Sequence, residues 1–438
     1  MFKKYFYLVL VFLTLVNFYK LVFQNKKSVD LHHFLTSGKM LDHGYNPYDF
    51  LLNNGQIGVH PDTEIFKKLG EKDLYSPTYL TPTLFLFFSP LSKISFEYVN
   101  IFWNVLLLIS WSFIVIYCLR RYGDLSSSDI TQKWWVLLLT FSVINSRGAF
   151  FYHFINGQVA LISLLFVIFA LNDKASDPLK GLFWSIAITF KYHCVVFLLF
   201  FILLKRQYRV ILFTSGFMFL QILALSFYEN PIALISKYYS LVSSLHGVDV
   251  EFTRFPVHLV NLKYLFKTMP SYLAILIPCC IYFIYYTFAN RNKMNISTED
   301  FLNIIPFTFL PVYHRLYDTV FLIPFILVAT IKFFQSNHQI LGTVCLLFTC
   351  IFSLPLTVVK LSLIWFEKNI FSLGEVFRPA VIETKYFNKI ISGFYQKNIQ
   401  EVYSHEEAFC FYALIILLIN LCVMAFSLSQ KNRDLLAS

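Results

Sequence analysis

Apolar residues recur along this chain in long unbroken runs, not as the one-sided stripe of a soluble helix. Tyr5–Phe23, Ile101–Leu119 and Ala408–Phe426 are the clearest, and each can cross roughly 30 Å of hydrocarbon as a helix. A transmembrane β-barrel would show alternating segments of about 10 residues, and these runs do not alternate. The pattern predicts an all-α, polytopic membrane protein. Two stretches resist simple counting. Tyr79–Leu91 is apolar but short and contains Pro82 and Pro90, which predicts a re-entrant or juxtamembrane helix. Leu179–Leu204 is long enough for one span but carries Lys191, Tyr192 and His193 at its centre. A single span there would bury a lysine at a cost of roughly 2.5–3.5 kcal/mol. Two short helices meeting at Lys191 on the outer side avoid that cost, and basic residues flank both ends. The hairpin is therefore expected, which gives about twelve crossings.

Composition sharpens the picture. Of 438 residues, 57% are hydrophobic and only 14% charged, against about 25% charged in a soluble domain. The net charge of +11 invites a nucleic-acid reading. The basic residues, however, sit in short clusters beside apolar runs and form no soluble basic face. They report orientation instead. Lys3–Lys4, Arg120–Arg121 through Lys133, Asp173–Lys174, Lys205–Arg209, Arg291–Lys293 and Lys431–Arg433 all fit the cytoplasmic side. That arrangement puts both termini inside and makes one integral membrane domain of residues 1–438, with residues 24–78, 229–269 and 360–407 as long extracytoplasmic loops. The first apolar run follows the basic start Met1–Lys4. It is too long for a secretory signal, and Gln24–Val29 offers no small-residue cleavage site, so it is expected to remain as an anchor. The eight Cys lie mostly in apolar segments, without zinc spacing or a disulfide framework. No internal repeat is evident by eye, which weakens an inverted-repeat transporter reading.

With this topology, unusual polar residues gather at the outer mouth of the bundle. Asp30 follows the first run, Asn156-Gly157-Gln158 opens an apolar segment, Lys191 caps the expected hairpin, and Tyr313-His314-Arg315-Leu316-Tyr317-Asp318 lies between two further runs. A ligand site built between helices looks like this. Each member also has a plainer reading. Asp30 fits an N-cap of the Leu31–Leu41 segment, and Asn156-Gly157-Gln158 a simple turn. Lys191 fits a snorkelling residue, and Arg315 with Asp318 a structural ion pair. His32, His33, His43 and His60 follow no helical or Cys-rich ligand pattern, so no metal is expected. The chain also lacks a phosphate-cradling Gly-rich loop and a Gly-x-Ser-x-Gly elbow, and Asp249-Val250-Glu251 is a poor substitute for an Asp-x-Asp metal site. No loop has room for a nucleotide-binding domain. Activated groups must then come from the membrane, or energy from an ion gradient.

At Asp30 the pattern becomes more specific. Asp30-Leu31 is followed by Leu35, Gly38 and Gly44-Tyr45-Asn46-Pro47-Tyr48-Asp49. This resembles the opening signature of family 87 glycosyltransferases, membrane enzymes of the GT-C fold. Later features follow the family's order. Tyr79-Leu80-Thr81-Pro82 with Ser89-Pro90-Leu91 is similar to its Pro-containing segment, and Asn156-Gly157-Gln158-Val159 to its Gly-Gln helix start. Phe190-Lys191-Tyr192 with Lys205-Arg206-Gln207-Tyr208-Arg209 is similar to its Lys-Pro segment and basic stop, Tyr192 replacing the usual Pro. Leu310-Pro311-Val312-Tyr313-His314-Arg315 stands where many members have Ser-Pro leading to His.

The resemblance implies a GT-C-like bundle with a long first extracytoplasmic loop, in the cell (plasma or inner) membrane. Its activity would be inverting transfer of a hexose, typically mannose, from a polyprenyl-phosphate sugar to a lipid or glycan acceptor on the extracytoplasmic face. It implies no cofactor and no nucleic-acid partner. Asp30 matches the family's general base. Lys191, His314 and Arg315 are candidates for the leaving phosphate. Tyr48, Gln158, Arg254, His258 and Asp318 are candidates for the sugar or the acceptor. A transporter or flippase for a lipid-linked or small polar substrate would use the same polar residues without chemistry. A non-catalytic envelope subunit is the third reading.

Overall fold

The computed structural model describes residues 19, 28–49, 52–53, 56–57, 80–122, 149–247, 277, 280–281, 320–335 and 340–343. Ala408–Phe426, the 360–407 loop and all but Tyr19 of Tyr5–Phe23 lie outside these residues. The chain forms two compact units, one of Met1–Ile116 with Tyr152–Thr253 and one of Tyr117–Phe151 with Arg254–Ser438. In chain order the elements are α1 (Val29–Asp42), β1 (Leu52–Asn53), β2 (Gln56–Ile57), a 3-10 turn (Pro82–Leu84), α2 (Phe85–Leu91), α3 (Phe96–Tyr122), α4 (Ala149–Asn156), α5 (Ala160–Ala170), α6 (Asp177–Leu204), α7 (Tyr208–Leu225), α8 (Pro231–Gly247) and α9 (Ile323–Gln335).

The run expected at Ile101–Leu119 is α3, and its two faces explain its length. Val99, Trp103, Leu107, Trp111, Ile114 and Cys118 are buried, while Tyr98, Phe102, Ile109, Phe113 and Ile116 are exposed. A soluble helix turns polar residues outward; this one is apolar on both faces, as a lipid-facing helix must be. Helix α7 repeats the pattern with Leu212, Phe219, Leu220 and Leu223 exposed. Among the described residues, Phe96–Cys118 and Tyr208–Leu225 are long and apolar enough to cross a membrane.

The segment expected as a short re-entrant or juxtamembrane helix is the 3-10 turn continued by α2, ten residues in all. At about 1.5 Å per residue it reaches roughly 15 Å, half of a bilayer core. It lies against α1 at Gly38, where a Cβ would meet the Phe88 carbonyl carbon at 2.7 Å. Only glycine permits that approach.

Helix α6 answers the question raised by its central lysine. The backbone leaves helical geometry at Lys191 (φ −152°, ψ 73°). Before that break, Gly181 abuts Phe213 and Thr214 of α7, and Thr189 Oγ1 meets Gln221 Oε1 at 2.5 Å. The first arm of α6 therefore runs parallel to α7. A straight helix would carry Leu204 about 34 Å beyond Gly181 at 1.5 Å per residue. The connection at Lys205–Gln207 and the first turns of α7 recover roughly 21 Å of that at most. The chain must double back at Lys191, so the two arms form a hairpin.

The all-α expectation holds for the described residues, with one small exception. The described residues are helical except for one antiparallel ladder, Leu52 opposite Ile57 and Asn53 opposite Gln56. Asn54-Gly55, the dipeptide that most favours a two-residue hairpin connection, separates its strands. The stretch 24–78 contains α1, in line with the expected Leu31–Leu41 segment, and 229–269, expected as a loop, contains α8. In the second unit, α9 continues from Val320–Leu322 and is apolar nearly all round, with Phe325, Ile326, Leu327, Val328 and Ala329 buried.

Candidate active site

Three of the four polar regions meet in the first unit. Helix α1 begins at Ser28, which occupies the cap position without a side-chain cap bond. Its hydroxyl turns instead to α3 and donates to Asn100 Oδ1 at 2.6 Å. Asp30 therefore falls in the first turn of the helix, where a negative charge complements the helix dipole, and the N-cap reading does not hold for it. Its Oδ2 accepts a hydrogen bond from Gln158 Nε2.

Gln158 is held there by the turn before α5. Gly157 adopts φ +67°, the left-handed region where side chains are strained. A Cβ on it would lie 2.6 Å from Leu31 Cβ and 3.2 Å from Ser28 Cβ. The amides of Gly157 and Gln158 donate to the carbonyls of Phe154 and His153, and Trp103 Nε1 donates to Gly157 O at 3.0 Å. The segment is thus both the simple turn and the site element, because the turn seats the glutamine against α1. Gly157→Ala should cost about 2–4 kcal/mol, combining left-handed strain with overpacking. Thermal unfolding of purified protein measures it. Gly216→Ala in α7, where a Cβ meets nothing within 4 Å, should be neutral or slightly stabilising.

Lys191 completes the group. It is 7% exposed, so it does not snorkel to solvent, and its Nζ donates to Gln158 Oε1 at 3.3 Å. A neutral amide thus bridges a buried ammonium and a half-buried carboxylate. Beside Lys191, Phe190 packs against Phe87 and Phe166, with ring centroids 5.5 and 6.4 Å away. The hairpin apex is tied down from the 3-10 turn, where Thr81 Oγ1 donates to Thr189 O at 2.7 Å. A break in a helix frees carbonyls of the preceding turn, and Thr81 supplies a partner for this one.

Tyr48 lies in the wall beside the apex. Its hydroxyl donates to Leu80 O at 2.6 Å, and its ring packs against Phe85 and Tyr238. Tyr238 in turn contacts Tyr192. Burial, and secondarily Tyr192, hold the Tyr48 hydroxyl well above the ordinary phenol range, so it stays a donor. That donor is already used by Leu80. Further out, Lys237 pairs with Asp49. Burial and the nearby Asp49 raise the Glu229 carboxyl, and Lys237 opposes them. Arg254, His258, His314, Arg315 and Asp318 lie outside the described residues. Among the described residues, no three His, Cys, Asp or Glu gather to hold a metal ion. His32 instead packs edge-on against Phe96, and His43 Nδ1 bonds to Lys39 O.

Sequence reading did not single out Asn100, Asn104 or Trp103. Two asparagines inside an apolar span were the available signal, since polar groups there need partners. Asn104 Nδ2 donates to Asn100 Oδ1 at 3.2 Å.

Apolar-faced helices carrying a bridged acid–lysine pair agree with the class that sequence comparison defines, the membrane glycosyltransferases. The model of glycosyltransferase family 87 matches residues 78–289 of the chain. The matched span includes Gln158, Lys191 and the 3-10 turn, and begins downstream of Asp30. No curated protein and no solved structure matches the chain.

Proposed function

We propose that this glycosyltransferase takes a hexose, mannose foremost, from a polyprenyl-phosphate donor and transfers it to a lipid or glycan acceptor. The reaction runs with inversion at the extracytoplasmic face of the cell membrane, within a multi-pass GT-C-like bundle of about twelve helices. The observation that supports this reading most is the line Asp30–Gln158–Lys191. The acceptor oxygen attacks the anomeric carbon, and the bond from that carbon to the phosphate oxygen breaks. Asp30 takes the acceptor proton. With Gln158 on Oδ2, Oδ1 is the oxygen left for this role among the described residues. Charge grows on the departing lipid phosphate, and Lys191 stabilises it. His314 and Arg315 are further cations for that phosphate. Arg254, His258, Asp318 and Tyr48 are assigned to the sugar or the acceptor, Tyr48 chiefly as wall. A lipid-linked donor delivers an activated sugar through the membrane and needs no nucleotide-binding domain. The first arm of α6 rises only about 21 Å, so its apex would sit below the outer boundary of a 30 Å core, where water is scarce and charges act strongly.

Purified protein incubated with polyprenyl-phosphate mannose, glucose and arabinose should release free polyprenyl phosphate, fastest from the mannose donor. No release from any of the three, with or without membrane-extract acceptors, would contradict the donor class.

A further inference from the structure

We propose that Asn100 and Trp103, on one face of α3, are positioning residues that set Asp30 against Gln158. This rests on the functional reading above but is argued from packing. The carboxylate and the amide are 128 residues apart and come from different elements. Each is anchored to the same turn of α3. Asn100 Oδ1 accepts from Ser28, the residue that starts α1 two positions before Asp30. Trp103 Nε1 donates to the carbonyl of Gly157, the residue before Gln158. Asn104 steadies the first anchor through Asn100 Oδ1. The two anchored segments touch directly, since Gly157 lies against Leu31 and Ser28. Asn100, Trp103 and Asn104 are all buried, and each bond forms where water is scarce, so each fixes direction as well as distance. The α3 face is a rigid template: shifting either anchor rotates its segment and opens the Asp30–Gln158 contact.

Trp103→Phe keeps an aromatic ring between Phe87 and Phe88 and removes only the donor and part of the ring. It should lower kcat about two- to tenfold, the value of one neutral hydrogen bond. KM for polyprenyl-phosphate mannose should be unchanged. Ser28→Ala, the milder lesion of the other anchor, should act in the same direction. In a Gln158→Leu background neither change should lower kcat further, because the contact that they position is already gone. Equal fold-losses in both backgrounds, or an unchanged kcat in Trp103→Phe, would overturn the proposal. Amide exchange provides a readout independent of the donor. Trp103→Phe should speed exchange in residues 153–163, and Ser28→Ala in residues 28–35. If wild-type protein transfers from no donor, the functional reading fails. Unchanged exchange in both segments would then refute the positioning by itself.

Discussion

Lys191→Met should lower the turnover number by about 10²- to 10³-fold while the protein still inserts and folds. The magnitude is that of removing one positioned donor from a developing oxyanion, roughly 2.7–4 kcal/mol. Methionine, like lysine, is unbranched at Cβ, so the exchange adds no new constraint on the non-helical backbone at 191 (φ −152°, ψ 73°), and the apex keeps its anchor from Thr81 to Thr189 O. The variant also leaves Gln158 Oε1 without the ammonium. That adds a smaller cost of about 1–3 kcal/mol to local stability. Lys191→Arg should retain part of the activity, because a fork replaces a point charge. A snorkelling lysine would behave differently: its replacement by methionine would leave turnover intact. Steady-state turnover and thermal unfolding of the three proteins, measured side by side, separate the two cases.

The sequence disclosed the features that depend on local pattern. The apolar run at 101–119 marked α3, the prolines at 82 and 90 marked a short segment, and a lysine at the centre of an apolar stretch marked a reversal. Asp30, Gln158 and Lys191 could be grouped because membrane topology reduces position to a few levels. What stayed hidden depends on tertiary partners. Ser28 looks no more committed than any helix-opening serine, yet its hydroxyl goes to Asn100, 72 residues away. Because the helix starts at Val29, Asp30 falls in the first turn and not at the cap. Trp103 reads as one more core aromatic, because its partner is a backbone carbonyl, which leaves no trace in composition. Tyr48 read as a candidate for sugar hydroxyls, and the carbonyl of Leu80 takes its proton instead. Helix α8 reads as loop because a proline, four serines and a lysine interrupt its apolar positions, although Leu234 and Leu241 bury one side of it.

The central claim is that Asp30 is the base of the transfer reaction. Its carboxylate sits in the first turn of α1, held at Oδ2 by Gln158 and half-exposed at the site. Asparagine has the same shape and can keep a hydrogen bond to Gln158, but it cannot accept the acceptor's proton during attack. General-base catalysis contributes roughly 10²- to 10⁴-fold, so Asp30→Asn should lose activity by that order. Binding of polyprenyl-phosphate mannose should change little, since the phosphate is assigned by proposal to Lys191 and not to Asp30. A purely structural acid makes the opposite prediction. First-turn asparagine loses only the dipole complement, about 0.3–1 kcal/mol, and transfer would continue. The direct measurement is the rate of mannose transfer from polyprenyl-phosphate mannose by stably inserted Asp30→Asn protein, at saturating donor and beside wild type. The account predicts a rate at least about a hundredfold lower with donor affinity preserved; a near-wild-type rate would contradict it.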